Sequence, residues 1–186
     1  AFRIRHRHSR AFGPGALRDA GTAAREFGRH AFVVTGREPR RADDLLDLLA
    51  AEDVATTPFA LTGEPTTDAV IAAAAQARTA GCDLVIGFGG GSPLDAAKAV
   101  SALLTNPGHL LDYLEVVGRA QPLAQPAAPC VAIPTTAGTG AEVTRNAVLA
   151  SPAHRLKVSL RSPLLLPRLA LVDPDLTRDL PPALTA

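Results

Sequence analysis

The sequence predicts an α/β protein built on a doubly wound, mostly parallel sheet, and three observations predict it. Short apolar runs alternate with helical patterns at the spacing of strand–helix–strand units. The run "CDLVIGFG" (82–89) is almost continuously apolar, which suits a strand covered on both faces. The stretch "GFGGGSPLDAAKAV" (87–100) then puts three consecutive glycines between that strand and a helical pattern, at a strand's carboxyl end, where sheets of this class bind ligands.

Each element has its own local signal. "FRIRHRHSR" (2–10) alternates like a strand, and its arginines read as a solvated sheet edge rather than a nucleic-acid arm. "HAFVVTG" (30–36) reads as a strand, followed by a charged helix over "RADDLLDLLAAE" (41–52) and a second strand at "VATTPFAL" (54–61). "TTDAVIAAAAQARTAG" (66–81) reads as a helix with Thr66 or Thr67 as N-cap and Gly81 closing it. "PLDAAKAVSALLTN" (93–106) is the next helix, and "GRAQPLAQPAAP" (118–129) reads as an exposed, proline-rich loop. "CVAIPTT" (130–136) supplies another buried strand, with "RLKVSL" (155–160) and "RLALVD" (168–173) as later strand candidates.

At 186 residues and 47% hydrophobic, the chain can bury one substantial core, so a single domain over 1–186 is expected. Its 19 basic residues against 18 acidic ones leave no electrostatic footprint for nucleic acid or an anionic membrane. The two cysteines, Cys82 and Cys130, make neither a disulfide framework nor a paired metal motif, which points to a reducing, cytoplasmic setting. No apolar stretch reaches membrane-spanning length and no signal-peptide pattern opens the chain. The first residue, Ala1, and the closing "LPPALTA" read as fragment boundaries. The histidines (His6, His8, His30, His109, His154) are scattered, and only His6 and His8 could share a strand face, so a chance surface pair is the expected reading and no metal site is assigned.

In the glycine loop, Ser92, Pro93 and Asp95 form an S-x-x-D variant of the capping box with proline at the first helical position. That explains those three residues and leaves Gly89, Gly90 and Gly91 unexplained, since one glycine serves a tight turn. A helix N-terminus carries free N–H donors and about half a positive charge, and a bare backbone lets a phosphate or pyrophosphate reach them. A purely structural turn is the alternative. The chain lacks the G-K-[ST] of a Walker loop, and Gly87-x-Gly89 opens like G-x-G-x-x-G but has Ser92 at the sixth position. Lys98 is expected to pair with Asp95 at i,i+3.

A second cluster, "AIPTTAGTGAEVTRNAVL" (132–149), follows the strand ending near Pro134. Thr135, Thr136 and Thr139 can donate to phosphate or ribose oxygens, and Gly138 and Gly140 let the chain pass close to a ligand. An ordinary turn with Thr139 as N-cap is equally consistent with these residues.

Together the two stretches resemble the iron-containing (group III) alcohol dehydrogenases. "GGGSPLDAAK" matches the family pattern G-G-G-S-x-x-D-x-A-K at every defined position, and "PTTAGTGAE" matches P-T-T-A-G-T-G-S-E except that Ala141 replaces the usual serine. "LALVDPDLTRDLPPALTA" (169–186) is similar to the segment closing the family's N-terminal domain. The resemblance implies a Rossmann-like nucleotide-binding domain, the first of two in a dehydroquinate-synthase-like fold, binding NAD or NADP. The implied helical C-terminal domain, which holds Fe2+ or Zn2+ through one Asp and three His and polarises the alcohol, lies outside this chain, and no catalytic residue is expected within it. Carried over by position, Gly89, Gly90, Gly91 and Ser92 would form the pyrophosphate seat, Thr135, Thr136 and Thr139 would line the cofactor, and Lys157 would reach a ribose. Asp95 would sit on the nicotinamide side and Glu64, in "GEPT", near the adenosine. Where NAD-preferring relatives often carry an Asp after the second strand, this chain has Gly36 and Arg37, which removes a charge that would repel a 2′-phosphate and adds a partner for one. The resemblance also implies a small alcohol or aldehyde substrate and a homo-oligomer. A maleylacetate-reductase-like relative and a stand-alone, non-catalytic nucleotide-binding module are the alternatives.

Overall fold

The main sheet forms because four apolar runs, at 30–35, 84–89, 130–134 and 169–172, are each too greasy for one exposed face and must be covered on both. A computed structural model describes residues 2–4, 9–178 and 180 of the chain. Strands β1 (Phe2–Ile4), β2 (Ser9–Phe12), β3 (His30–Thr35), β4 (Ala55–Ala60), β5 (Leu84–Gly89), β6 (Cys130–Pro134) and β9 (Leu169–Val172) make a seven-stranded sheet in the order β1-β2-β9-β6-β5-β3-β4. Only the β1–β2 pair is antiparallel, so the expectation of a doubly wound, mostly parallel sheet holds. Residues 5–8, including His6 and His8, lie outside the described residues, as do 181–186 at the end of the third resemblance segment.

Alternation along each central strand feeds two cores. Phe32, Val34 and Val85 point to one face with Ala73, Ala97 and Val100, while Ala31, Val33, Leu84 and Ile86 point to the other with Ala24, Leu45 and Leu49. The first face carries α3 (Thr67–Thr79) and α4 (Gly91–Thr105); the second carries α1 (Ala20–Arg25) and α2 (Asp43–Ala51). The short α5 (Leu110–Tyr113) begins on a capping box of His109 and Asp112. No described helix is long and apolar enough to cross a membrane.

Local signals fix most boundaries. Thr66 caps α3 by accepting from the Ala69 N–H at 3.1 Å, and Gly81, two residues beyond its end, takes φ +70°. Strand β4 tolerates Pro58 because it lies on the sheet edge, where no ladder bond is lost. The proline-rich stretch 118–129 forms no regular element, although Leu123 and Ala128 are buried.

Two expectations are corrected. The strand candidate at 155–160 is β8 (Leu156–Arg161), but it pairs antiparallel with β7 (Asn146–Ser151) in a separate hairpin instead of joining the main sheet. Its sequence carries only alternate buried residues, Val158 and Leu160, so one of its faces stays wet, as an excursion packed on α3 and α4 requires. The predicted capping box at Ser92 and Asp95 is also absent. Helix α4 starts two residues earlier, with Gly90 as N-cap and no side-chain cap bond. Asp95 cannot reach back to a cap because its carboxylate is occupied elsewhere, by Lys98 and by the Val148 N–H.

Candidate cofactor site

Strand order reverses between β3 and β5: from β3 the chain builds outward to β4, and from β5 it builds the other way through β6 to β9. A crevice must open where the crossovers part, at the carboxyl ends of those two strands. The loops leaving β3, β5 and β6 meet there, tied by a hydrogen bond from the Thr135 N–H to the Gly89 carbonyl at 2.9 Å. They enclose a cavity of about 210 Å3 lined by Gly36, Arg37, Glu38, Arg41, Phe88, Gly89, Gly90, Thr135 and Thr136.

The three glycines answer to three different constraints. Gly89 has φ +148°, and a Cβ there would come within 2.7 Å of Pro93 Cγ, so its bareness is required by the fold. A Cβ on Gly90 would press on Thr136 Oγ1 at 3.1 Å, tighter than ordinary contact. Gly91 has no such reason. A Cβ there would meet only Thr139, at an ordinary 3.7 Å. The fold therefore does not require its bareness. The first turn of a fifteen-residue helix is left without a side-chain cap, so its N–H groups are available to an anion.

Two hydroxyls reinforce this. Thr35 Oγ1 and Thr136 Oγ1 are buried and have no hydrogen-bond partner within the described protein. Buried polar atoms are rarely left so. Thr136 lies on the cavity wall itself, beside Gly90. These features fit a phosphorylated ligand that brings its own hydrogen-bonding oxygens.

A second, smaller cavity of about 150 Å3 is lined by Glu64, Pro65, Ser92, Asp95, Val148, Leu149, Ala150 and Lys157. Here Lys157 Nζ donates to Glu64 Oε1 at 2.6 Å. The structure thus brings Glu64 to Lys157 and Asp95, and does not bring it to Gly36 and Arg37, which line the other cavity. A third cavity, of about 730 Å3, shares Arg41, Phe88 and Thr135 with the first and extends it past Arg18, Asp44 and Leu176. Thr139 is exposed on the turn above Gly91, where its hydroxyl faces the Ala141 N–H at 3.4 Å.

Lys98 was legible only as half of an ion pair. That pair exists, with Asp95 Oδ1 at 2.8 Å. The ammonium is also fully buried and donates to the Ala141 carbonyl, Thr144 Oγ1 and the Asn146 carbonyl, at 2.9, 3.1 and 2.5 Å. Asp173 was missed. It is 3% exposed, and its carboxylate accepts from the backbone N–H groups of Gly15, Leu17 and Asp175 on the wall of the cavity that continues past Arg41 and Phe88. The "DPD" at 173–175 is an Asx-turn signal that could have marked it. Burial drives the Cys130 thiol up to about 12, and its neighbours Lys98 and Ser101 only partly oppose this, so it is an inert core residue. Among the described residues no group of three or more His, Cys, Asp or Glu side chains could hold a metal ion, so these residues do not fit a metal site.

Residues 9–174 match the family model described as iron-containing alcohol dehydrogenase. The chain is 40% identical over 179 residues to the probable alcohol dehydrogenase EutG of Escherichia coli (strain K12), covering 94% of this chain and 44% of that protein. It is 41% identical over 154 residues to the 4-hydroxybutyrate dehydrogenase of Cupriavidus necator, covering 83% of this chain and 39% of that protein. Its structure superposes with a TM-score of 0.83 on the sulfoacetaldehyde reductase of Bifidobacterium kashiwanohense in complex with NAD+, at 28% identity, covering 99% of this chain and 49% of that one. The chain thus spans about half the length of the relatives it matches.

Proposed function

Because the chain belongs to the iron-containing alcohol dehydrogenase family, we propose that it is the nicotinamide-dinucleotide-binding domain of an enzyme that interconverts small alcohols and aldehydes. The observation that carries this reading is the uncapped N-terminus of α4 at the sheet's switch point, with Gly91 bare and Thr136 Oγ1 unpartnered beside it. The pyrophosphate takes the free N–H groups around Gly90, Gly91 and Ser92. The adenosine half runs past Gly36 and Arg37 into the larger cavity that begins at Arg41 and Phe88. The nicotinamide half turns to the Ser92–Asp95–Lys157 side, and on this reading Glu64 serves that half and not the adenosine.

The cofactor supplies the hydride acceptor; the chain's own residues bind and orient it. Either NAD or NADP fits the pyrophosphate seat, and Gly36 with Arg37 favours NADP. The described residues offer no ligand set that fits a metal ion. We assign Fe2+ or Zn2+, and the polarising of the alcohol oxygen, to the part of the relatives' length that this chain does not span.

Calorimetric titration of the purified chain and its Gly91→Asp variant with NADPH and NADH tests the reading. A side chain and a negative charge at that position should weaken binding by at least about 2 kcal/mol. Equal affinity in the two proteins would make the loop a structural turn.

A further inference from the structure

We propose that Lys98, together with Asp95, is a positioning residue that holds the turn at 136–144 against the N-terminus of α4, so that the two sides of the cofactor cradle form as one unit. This inference rests on the dinucleotide reading and deepens it. Its basis is the way the turn is held. Among the described residues, every hydrogen bond that leaves the stretch from Thr136 to Thr144 ends on Lys98 Nζ, through the Ala141 carbonyl and Thr144 Oγ1. The turn's other bonds stay inside it: Val143 N–H to the Gly140 carbonyl, Ala141 N–H to Thr139 Oγ1, and Thr144 Oγ1 to the Ala141 carbonyl. The same turn sets the width of the cradle. Thr136 Oγ1 is 3.1 Å, and Thr139 Cβ 3.7 Å, from where side chains on Gly90 and Gly91 would begin.

A lysine suits this role because one ammonium can donate to the Ala141 carbonyl and Thr144 Oγ1 of a segment that has no ladder of its own, and still reach the Asn146 carbonyl at the start of β7. Its burial is tolerable because the charge is paired and its bonds are satisfied. Asp95 Oδ1 neutralises it at 2.8 Å, and Oδ2 accepts from the Val148 N–H at 3.1 Å, which carries the tie into β7. An apolar residue at position 98 would pack beneath the helix equally well and hold none of these groups.

The test compares wild type with Lys98→Met and Thr144→Val by three readouts: amide hydrogen exchange, the dissociation constant for NADPH or NADH, and Tm. Thr144→Val removes one acceptor and leaves the buried charge pair intact, so it carries the test if Lys98→Met fails to fold. The expected result is exchange at 137–144 faster by about tenfold or more, with β5 and β6 amides unchanged. Cofactor binding should weaken by about tenfold in Lys98→Met and by a few-fold in Thr144→Val. A lower Tm with an unchanged dissociation constant would reduce Lys98 to a structural lysine and overturn the proposal. Unchanged exchange in the turn would overturn it as well. If wild type binds neither dinucleotide, the cofactor reading falls and the positioning role with it; if wild type binds and the variants bind equally, only the positioning role falls.

Discussion

Glu64 and Lys157, 93 positions apart in the chain, join at 2.6 Å on the wall of the smaller cavity, with their side chains 58% and 65% exposed. An ion pair this exposed is screened by water and contributes about 1 kcal/mol or less to folding. Its placement beside Ser92 and Asp95 instead points to the ligand. Lys157→Ala should leave the urea midpoint nearly unchanged and weaken NADPH or NADH binding by about tenfold, a loss near 1.4 kcal/mol. Fluorescence titration alongside urea denaturation separates the two effects, and an unchanged affinity would remove Lys157 from the site.

The glycine loop predicts opposite outcomes for neighbouring substitutions. Gly89→Ala forces an L side chain into φ +148° and against Pro93, and should destabilise the fold by about 1–3 kcal/mol. Gly91→Ala sits in a helical turn with only ordinary contact to Thr139, so folding stability should stay within about 1 kcal/mol of wild type. Affinity for the dinucleotide should nevertheless fall, because the added methyl stands between the ligand and the N–H donors. Similar stability losses in both variants would contradict this assignment of roles.

Cofactor preference is predicted to turn on positions 36 and 37. A Cβ on Gly36 would touch only Pro93 Cγ, at 3.8 Å, so the backbone there has room for a side chain to begin. Arg37 is exposed on the same cavity wall and forms no ion pair among the described residues. Gly36→Asp should shift the NADP-to-NAD affinity ratio towards NAD by about tenfold or more, and Arg37→Ala should shift it the same way by less. A ratio unmoved by both substitutions would mean that the 2′ position of the ribose lies elsewhere.

Cys130 gives the protein an alkaline limit. In the folded chain burial keeps its thiol neutral up to about 12, whereas the unfolded thiol ionises at its ordinary 9.0. The folded state therefore holds this proton more tightly, so the contribution is complete below pH 9.0 and is lost as pH rises towards 12. The slope expected from this one group is about 1.4 kcal/mol per pH unit. Urea midpoints of wild type and Cys130→Ala, followed upward from pH 9.0, should converge; parallel curves would show that the thiol is not what titrates.

The parts of this molecule that could be read from sequence are those where one local rule dominates. The buried strand at 82–89, the Thr66 cap and the Gly81 terminator each follow from a few adjacent residues. The start of α4 was misread because Ser92 and Asp95 satisfy a capping pattern, while Asp95 is claimed by Lys98 and Val148, and the Val148 contact spans 53 positions in sequence. The β7–β8 hairpin was half seen, since Asn146–Ser151 has the alternation of a strand but follows directly on a motif read for its ligand chemistry. Lining residues such as Phe88 and Arg41 carry no motif of their own; only the meeting of strand ends brings them to the cavities. The grouping of Glu64 with Lys157, and not with Gly36, is likewise tertiary information.

Dinucleotide binding at the switch point is read residue by residue in an amide NMR titration of the isotope-labelled chain with NADPH. Saturable shifts should concentrate at Gly36, Gly90, Gly91, Ser92, Thr136 and Lys157, with the amides of the β4 edge unmoved. No saturable shift with either NADPH or NADH, or shifts confined to residues away from the carboxyl ends of β3, β5 and β6, would contradict it.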